Sequence, residues 1–198
     1  MKTAFVIAAA LLWPLVATAQ GAWPQQPTDV MGIRLGAPLD GAGIQPCDAS
    51  NEYRGRLSTS VFCYQPRAAL GRPDRTFFTV HNSPDLGTGG QRVVLDVAFG
   101  HVAGILLTGN AIRFDKMLAV LETRYGTATE TAVGKARFGD GAEFATVTKR
   151  WRGDRVTIEA TSPFGRADEF TVYWSDLATQ ARRDAQSARE SKSGASKL

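Results

Sequence analysis

Thiol and imidazole chemistry in this chain is limited to Cys47, Cys63, His81 and His101. A thiol beside an imidazole makes a nucleophile, because histidine is the usual base that draws off the proton. Cys63 with His81 or His101 is the pairing that could act in this way. The competing use of two lone cysteines is a disulfide, the common outcome in an exported chain. The reading adopted is a Cys47–Cys63 bridge closing a loop of about 15 residues, for which chain entropy gives roughly 3 kcal/mol. No other Cys or His stands near enough in sequence to complete a metal site, so neither metal nor cofactor is expected.

Other motifs are weaker. No Gly-x-Ser-x-Gly elbow occurs. Leu86-Gly87-Thr88-Gly89-Gly90 has the glycines of a phosphate loop but not its Gly-Lys-Ser/Thr ending, so it reads as a hairpin connection. Asp140-Gly141-Ala142-Glu143 is too short for a calcium loop. Arg152-Gly153-Asp154 matches an adhesion tripeptide, yet Gly-Asp is ordinary turn chemistry. Asp96 interrupts the apolar run Val93-Val94-Leu95-Asp96-Val97 and is expected to point outward by strand alternation. The candidates that remain for binding are His81 beside the loop 82–91, Asp85 and Gln91 within it, and Tyr173. Loops on a rigid scaffold often carry function. Tyr173 is expected to be exposed, on the face opposite Phe170, Val172 and Trp174. Trp151 and Trp174 are read as core.

The elements that would position these residues centre on one helix. Phe114, Met117, Leu118, Leu121 and Tyr125 form a single stripe at helical spacing over 114–125. Asn110 suits the start, Asp115 the first turn, Arg124 the last, and Gly126 the stop. Glu122 is expected on the opposite, solvent face. Strand-like runs lie on both sides of this helix. Before it come 58–64 (Val61 and Cys63 on one face), 76–81, and a hairpin of 92–99 and 102–107 turning at Gly100-His101. After it come 131–138, a hairpin of 144–151 and 155–160, and 169–174. The segments 48–55 and 66–74 read as loops, 82–91 as the most flexible interior loop, and Pro38 as the start of a helical turn.

The fold class expected is α+β: antiparallel, β-rich sheet or sheets with one principal amphipathic helix. The chain is read as a single globular domain over 30–180. Its halves, 30–109 and 110–180, rhyme as a helical turn or helix followed by strands, as in a degenerate tandem of helix-plus-sheet units. The Leu121-x-x-x-Tyr125-Gly126 helix end followed by antiparallel strands resembles that of many small exported bacterial proteins. In outline it is similar to tandem helix-plus-sheet inhibitors and outer-membrane assembly accessories. That likeness implies architecture and assigns no residue a role.

Lys2, the apolar run 4–17 and Ala17-Thr18-Ala19 have the layout of a signal peptide over 1–19, with no cysteine at the cleavage site. Residues 20–29 read as an extended leader from which Trp23 could dock, at a place that nothing local specifies. The net charge of +4 misleads. Residues 20–180 carry 17 Lys and Arg against 17 Asp and Glu, while the tail 181–198 carries +3. A neutral body argues against nucleic acid, and no later stretch suits a membrane span. The tail is expected to be helical at first and disordered beyond Ser187. These features point to a periplasmic or secreted protein whose partner is another protein or an envelope component. It is read as a non-enzymatic binding, inhibitor or envelope-accessory protein. The alternatives are a secreted hydrolase with dispersed acids and an envelope-surface protein attached through its basic tail.

Overall fold

The predicted helix forms as Phe114–Tyr125 (α1), and Phe114, Met117, Leu121 and Tyr125 are its buried residues. The Asn110 side chain accepts the Ile112 N–H at 3.0 Å, starting a 3-10 turn, Ala111–Arg113, that runs into the helix. Gly126 ends it with φ +77°, a conformation that favours glycine. Leu118 flanks the stripe, partly buried against the core. Burying the four central side chains contributes roughly 6–12 kcal/mol gross, at about 1.5–3 each. In this computed structural model, residues 23–195 are described except 49, 51, 54–55, 58, 67–69, 73–74 and 138–140. The predicted signal peptide and its cleavage site lie outside the described residues.

The strands are β1 Asp29–Val30, β2 Ile33–Arg34, β3 Gln45–Pro46, β4 Glu52–Tyr53, β5 Arg56–Leu57, β6 Cys63–Tyr64 and β7 Leu70–Arg72. They continue as β8 Arg75–His81, β9 Arg92–Ala98, β10 His101–Asn110, β11 Glu130–Arg137, β12 Glu143–Arg152, β13 Val156–Ser162 and β14 Glu169–Asp176. A second helix, α2, spans Leu177–Ala195. One ten-stranded sheet runs β11-β12-β13-β14-β10-β9-β8-β6-β3, with β7 on β8. All its pairs are antiparallel except β3 with β6. The last strand of each half, β10 and β14, meet at the centre over seven paired positions. Each half meanders outward from that seam. The fold is α+β, as the patterning implies.

Strand alternation gives the sheet two unlike faces. Val93, Leu95, Ile105, Leu107, Ile158, Phe170, Val172 and Trp174 share one buried cluster with Met117 and Leu121 of α1. Asp96, Thr108, Thr161, Thr171 and Ser175 alternate with them and are buried on the other face.

Several expectations are corrected. The central hairpin turns at Phe99-Gly100 (φ 53° and 74°), so His101 begins β10 opposite Ala98. Of 58–64 only Cys63–Tyr64 is a described strand, and Val61 is exposed while Cys63 is buried. Strand pairs form inside the predicted loops, at β4 and β7, where polar composition hid them. Glu122 is not free at the surface; Lys149 on β12 donates to it at 3.0 Å. Trp23 docks beneath the end of α1, with its indole N–H on Tyr125 O at 2.7 Å and the two rings edge to face. Helix α2 continues past Ser187, where composition predicted disorder. Asp176 caps it, alanines favour it, and Gln180–Asp184 and Gln186–Glu190 pairs brace its outer turns.

Candidate functional site

The foot of α2 gathers four separate pieces of chain around one cleft of about 660 Å³. They are the leader at Pro27-Thr28, the turn after β2, the β12–β13 hairpin and the start of α2. Two further clefts are about 240 and 210 Å³. Each wall has a local cause. Gln26 plugs the hairpin: its Nε2 donates to Asp154 at 2.5 Å and its Oε1 accepts the Arg155 and Val156 N–H groups at 2.9 and 3.2 Å. Gly36, at φ +75°, lies so close to Asp176 that a Cβ there would come within 2.9 Å of Oδ2. Only glycine brings this turn so near. Arg34 donates to Gly41 O, folding the turn back on itself.

Asp176 forms the far wall and starts the helix. Its Oδ1 accepts the Thr179 N–H at 2.8 Å and hydroxyl at 2.7 Å, an N-cap that satisfies an otherwise orphan donor. The cleft therefore presents Arg34 and Arg155 against Asp154 and Asp176. Each carboxylate has its Oδ1 engaged by the chain itself. Neither arginine has an ion-pair partner among the described residues; Arg34 is turned to Gly41 O, which leaves the Arg155 guanidinium as the cleft's available donor.

Two turns along, α2 meets a buried carboxylate. Asp96 lies opposite Phe77 and Gly104 in register, and its side chain is 1 % exposed. Arg75 on β8 grips it twice, Nε to Oδ1 at 2.8 Å and Nη2 to Oδ2 at 2.5 Å. Tyr173 on β14 donates to Oδ2 at 2.6 Å, and Arg183 of α2 places Nη1 3.5 Å from the same oxygen. Tyr173 reaches Asp96 across β10 because Gly104 lies beneath it; a Cβ there would come within 2.5 Å of the phenol oxygen. Burial first, and then the Asp96 charge, pushes the Tyr173 phenol far above its ordinary range. The Asp96 hydrogen bond first, against some desolvation, raises the Arg75 pKa. Next to Arg183, Arg182 stacks over the Phe99 ring at 5.0 Å. This constellation ties β8, β9, β14 and α2 together, so it sets where the helix wall of the cleft stands.

The outward Asp96 and exposed Tyr173 expected from alternation are thus corrected. Alternation holds, but α2 covers that face. Asp85 and Gln91 come together in one loop and use their polar atoms to close it. Asp85 Oδ1 accepts the Gly87 and Gly89 N–H groups at 2.8 and 3.2 Å, which hold its carboxyl below the usual range, Gly89 foremost. Gln91 donates to Pro84 O at 2.6 Å and accepts from Thr88 at 3.1 Å. His81 stands in register with Cys63, and its Nε2 is buried without a hydrogen-bond partner among the described residues. Cys63 is joined to Cys47, so no thiol–imidazole pair exists there. His101 sits apart, its Nδ1 2.9 Å from Phe99 O. Among the described residues no group of His, Cys, Asp or Glu is placed to hold a metal ion. No helix among them is long and apolar enough to cross a membrane.

Sequence reasoning passed over Gln26, Gly36, Arg155 and Asp176. The only signals were a glycine after a strand and an aspartate before a helix. Comparison of the chain with protein families, characterised proteins and solved structures finds no match.

Proposed function

We propose that this is an exported, non-enzymatic binding protein, an inhibitor or envelope accessory, that takes a partner segment into the cleft at the foot of α2. The observation that carries this reading is the convergence of four chain segments on one open cleft with an unpaired arginine, Arg155. A partner group bearing a carboxylate suits that guanidinium, since arginine holds carboxylates in a two-pronged fork. Export rests on Lys2, the apolar run and the small-residue site at 17–19, and the Cys47–Cys63 disulfide is compatible with an oxidising compartment. Attachment through the basic tail is the weaker reading, because Arg182 and Arg183 are spent on Phe99 and Asp96.

The test is site-specific photo-crosslinking in envelope extract, with the reactive group at exposed Ala178 on the cleft or at exposed Val61 away from it. The proposal expects a discrete adduct from Ala178 only, lost in Arg155→Glu at unchanged melting temperature. Adducts from Val61 alone, or an Arg155→Glu variant that captures as well as the parent, would overturn it.

A further inference from the structure

The far end of the sheet is built unlike the rest. Strand β11 pairs with β12 in unbroken register from Glu130↔Arg150 to Arg137↔Glu143, and its outer edge has no strand partner among the described residues. Residues 131–135 are exposed on both faces. Val133 stands 75 % exposed at the middle of the strand, beside Val147, which packs on the core. Natural sheets blunt such an edge with proline, bulges, short length, lysine and other charges, because unpaired N–H and C=O groups template pairing. This edge has eight residues, no proline and no bulge, and its Lys135 is turned to Glu143 at 3.7 Å.

We infer that β11 is a two-fold pairing edge for a second copy of this chain. The strand's own sequence selects that occupant. A two-fold axis normal to a sheet opposes only residues of the same face, which leaves few registers. Centring the axis on Val133 sets Val133 against itself, Ala132 against Gly134, Thr131 against Lys135 and Glu130 against Ala136. No like charges are opposed, and each exposed valine covers the other. Centring it on Gly134 instead sets Val133 against Lys135 and Thr131 against Arg137, with glycine against glycine and nothing to pack. The first register extends the sheet continuously from one copy into the next, as in recognition by strand addition.

The register makes a symmetric prediction that a cysteine reads directly. Directly opposed residues of an antiparallel pair lie about 4.5–5.5 Å apart at Cα, within the reach of a disulfide. Val133→Cys should therefore form a covalent dimer under mild oxidation, with the native bridge intact by peptide mapping. Ala136→Cys, three residues along the same strand, should not. The parent should sediment as twice the chain mass at micromolar concentration, and Val133→Lys, which opposes two charges, as a monomer. A monomeric parent, or Ala136→Cys linking as readily as Val133→Cys, would overturn the inference. Should the cysteine variants misfold, sedimentation of the parent and Val133→Lys decides alone.

Discussion

The two faces of the sheet hold their helices by different physics. On one face α1 lays an apolar stripe, Phe114, Met117, Leu121 and Tyr125, into a cluster that includes Leu95, Ile105 and Trp174. On the other, α2 sets its buried Thr179 and half-buried Arg183 against a polar face that holds Asp96 and Tyr173. Its hold is the Asp176 cap, the Arg182 stack on Phe99 and the ion pair to Asp96. Apolar burial is non-directional and tolerates repacking, whereas a buried carboxylate fixes register and is costly to leave unpaired. So α1 is a foundation and α2 is a latched wall, and the candidate cleft lies against the wall.

Breaking the foundation should cost most. Leu121→Ala, at a position 1 % exposed, should destabilise by about 2–5 kcal/mol, the usual sum of transfer and cavity terms, read from urea midpoints. Asp96→Asn should cost about 2–3 kcal/mol. That is below the 3–5 typical of a broken buried pair, because the partly exposed Arg75 and Arg183 can rehydrate. Its distinguishing mark is a selective loss of Ala178 crosslinking.

Tyr173→Phe removes one hydrogen bond to a charged group and should cost roughly 1.5–3 kcal/mol near neutral pH. It also has a pH signature. Burial raises the Tyr173 phenol above its ordinary 10.0, so the folded state holds that proton longer than the unfolded chain does. The resulting stability is complete below pH 10.0 and is lost as pH rises beyond it. Tyr173→Phe should therefore flatten the alkaline decline in melting temperature without abolishing it, because burial raises Tyr125 in the same direction. Glu122→Ala breaks a partly exposed pair with Lys149 and should cost under about 1 kcal/mol.

The foundation was legible in the sequence, whereas of the wall only its first helical turns were. The α1 stripe, its Asn110 and Gly126 ends and the Cys47–Cys63 bridge all follow from spacing, local chemistry and the lone cysteine pair. Each depends on residues near one another in the chain. Asp96 and Tyr173 are 77 positions apart, and nothing local says that Gly104 lets one reach the other. The one local mark is the glycine in Val102-Ala103-Gly104-Ile105-Leu106-Leu107, since a glycine inside an apolar strand marks a close approach, here filled by the Tyr173 ring. The cleft was hidden for the same reason, since Gln26 and Asp154 are 128 positions apart. The tail misled through its composition, because the residues that hold α2 in place belong to the sheet.

The most direct test of the latch is amide hydrogen exchange on Asp96→Asn and its parent, followed helix by helix. In Asp96→Asn, α2 should lose protection from 177 to 187 while α1 exchanges as in the parent. Equal loss in both helices, or an α2 as protected as before, would contradict the claim that Asp96 holds this wall of the cleft.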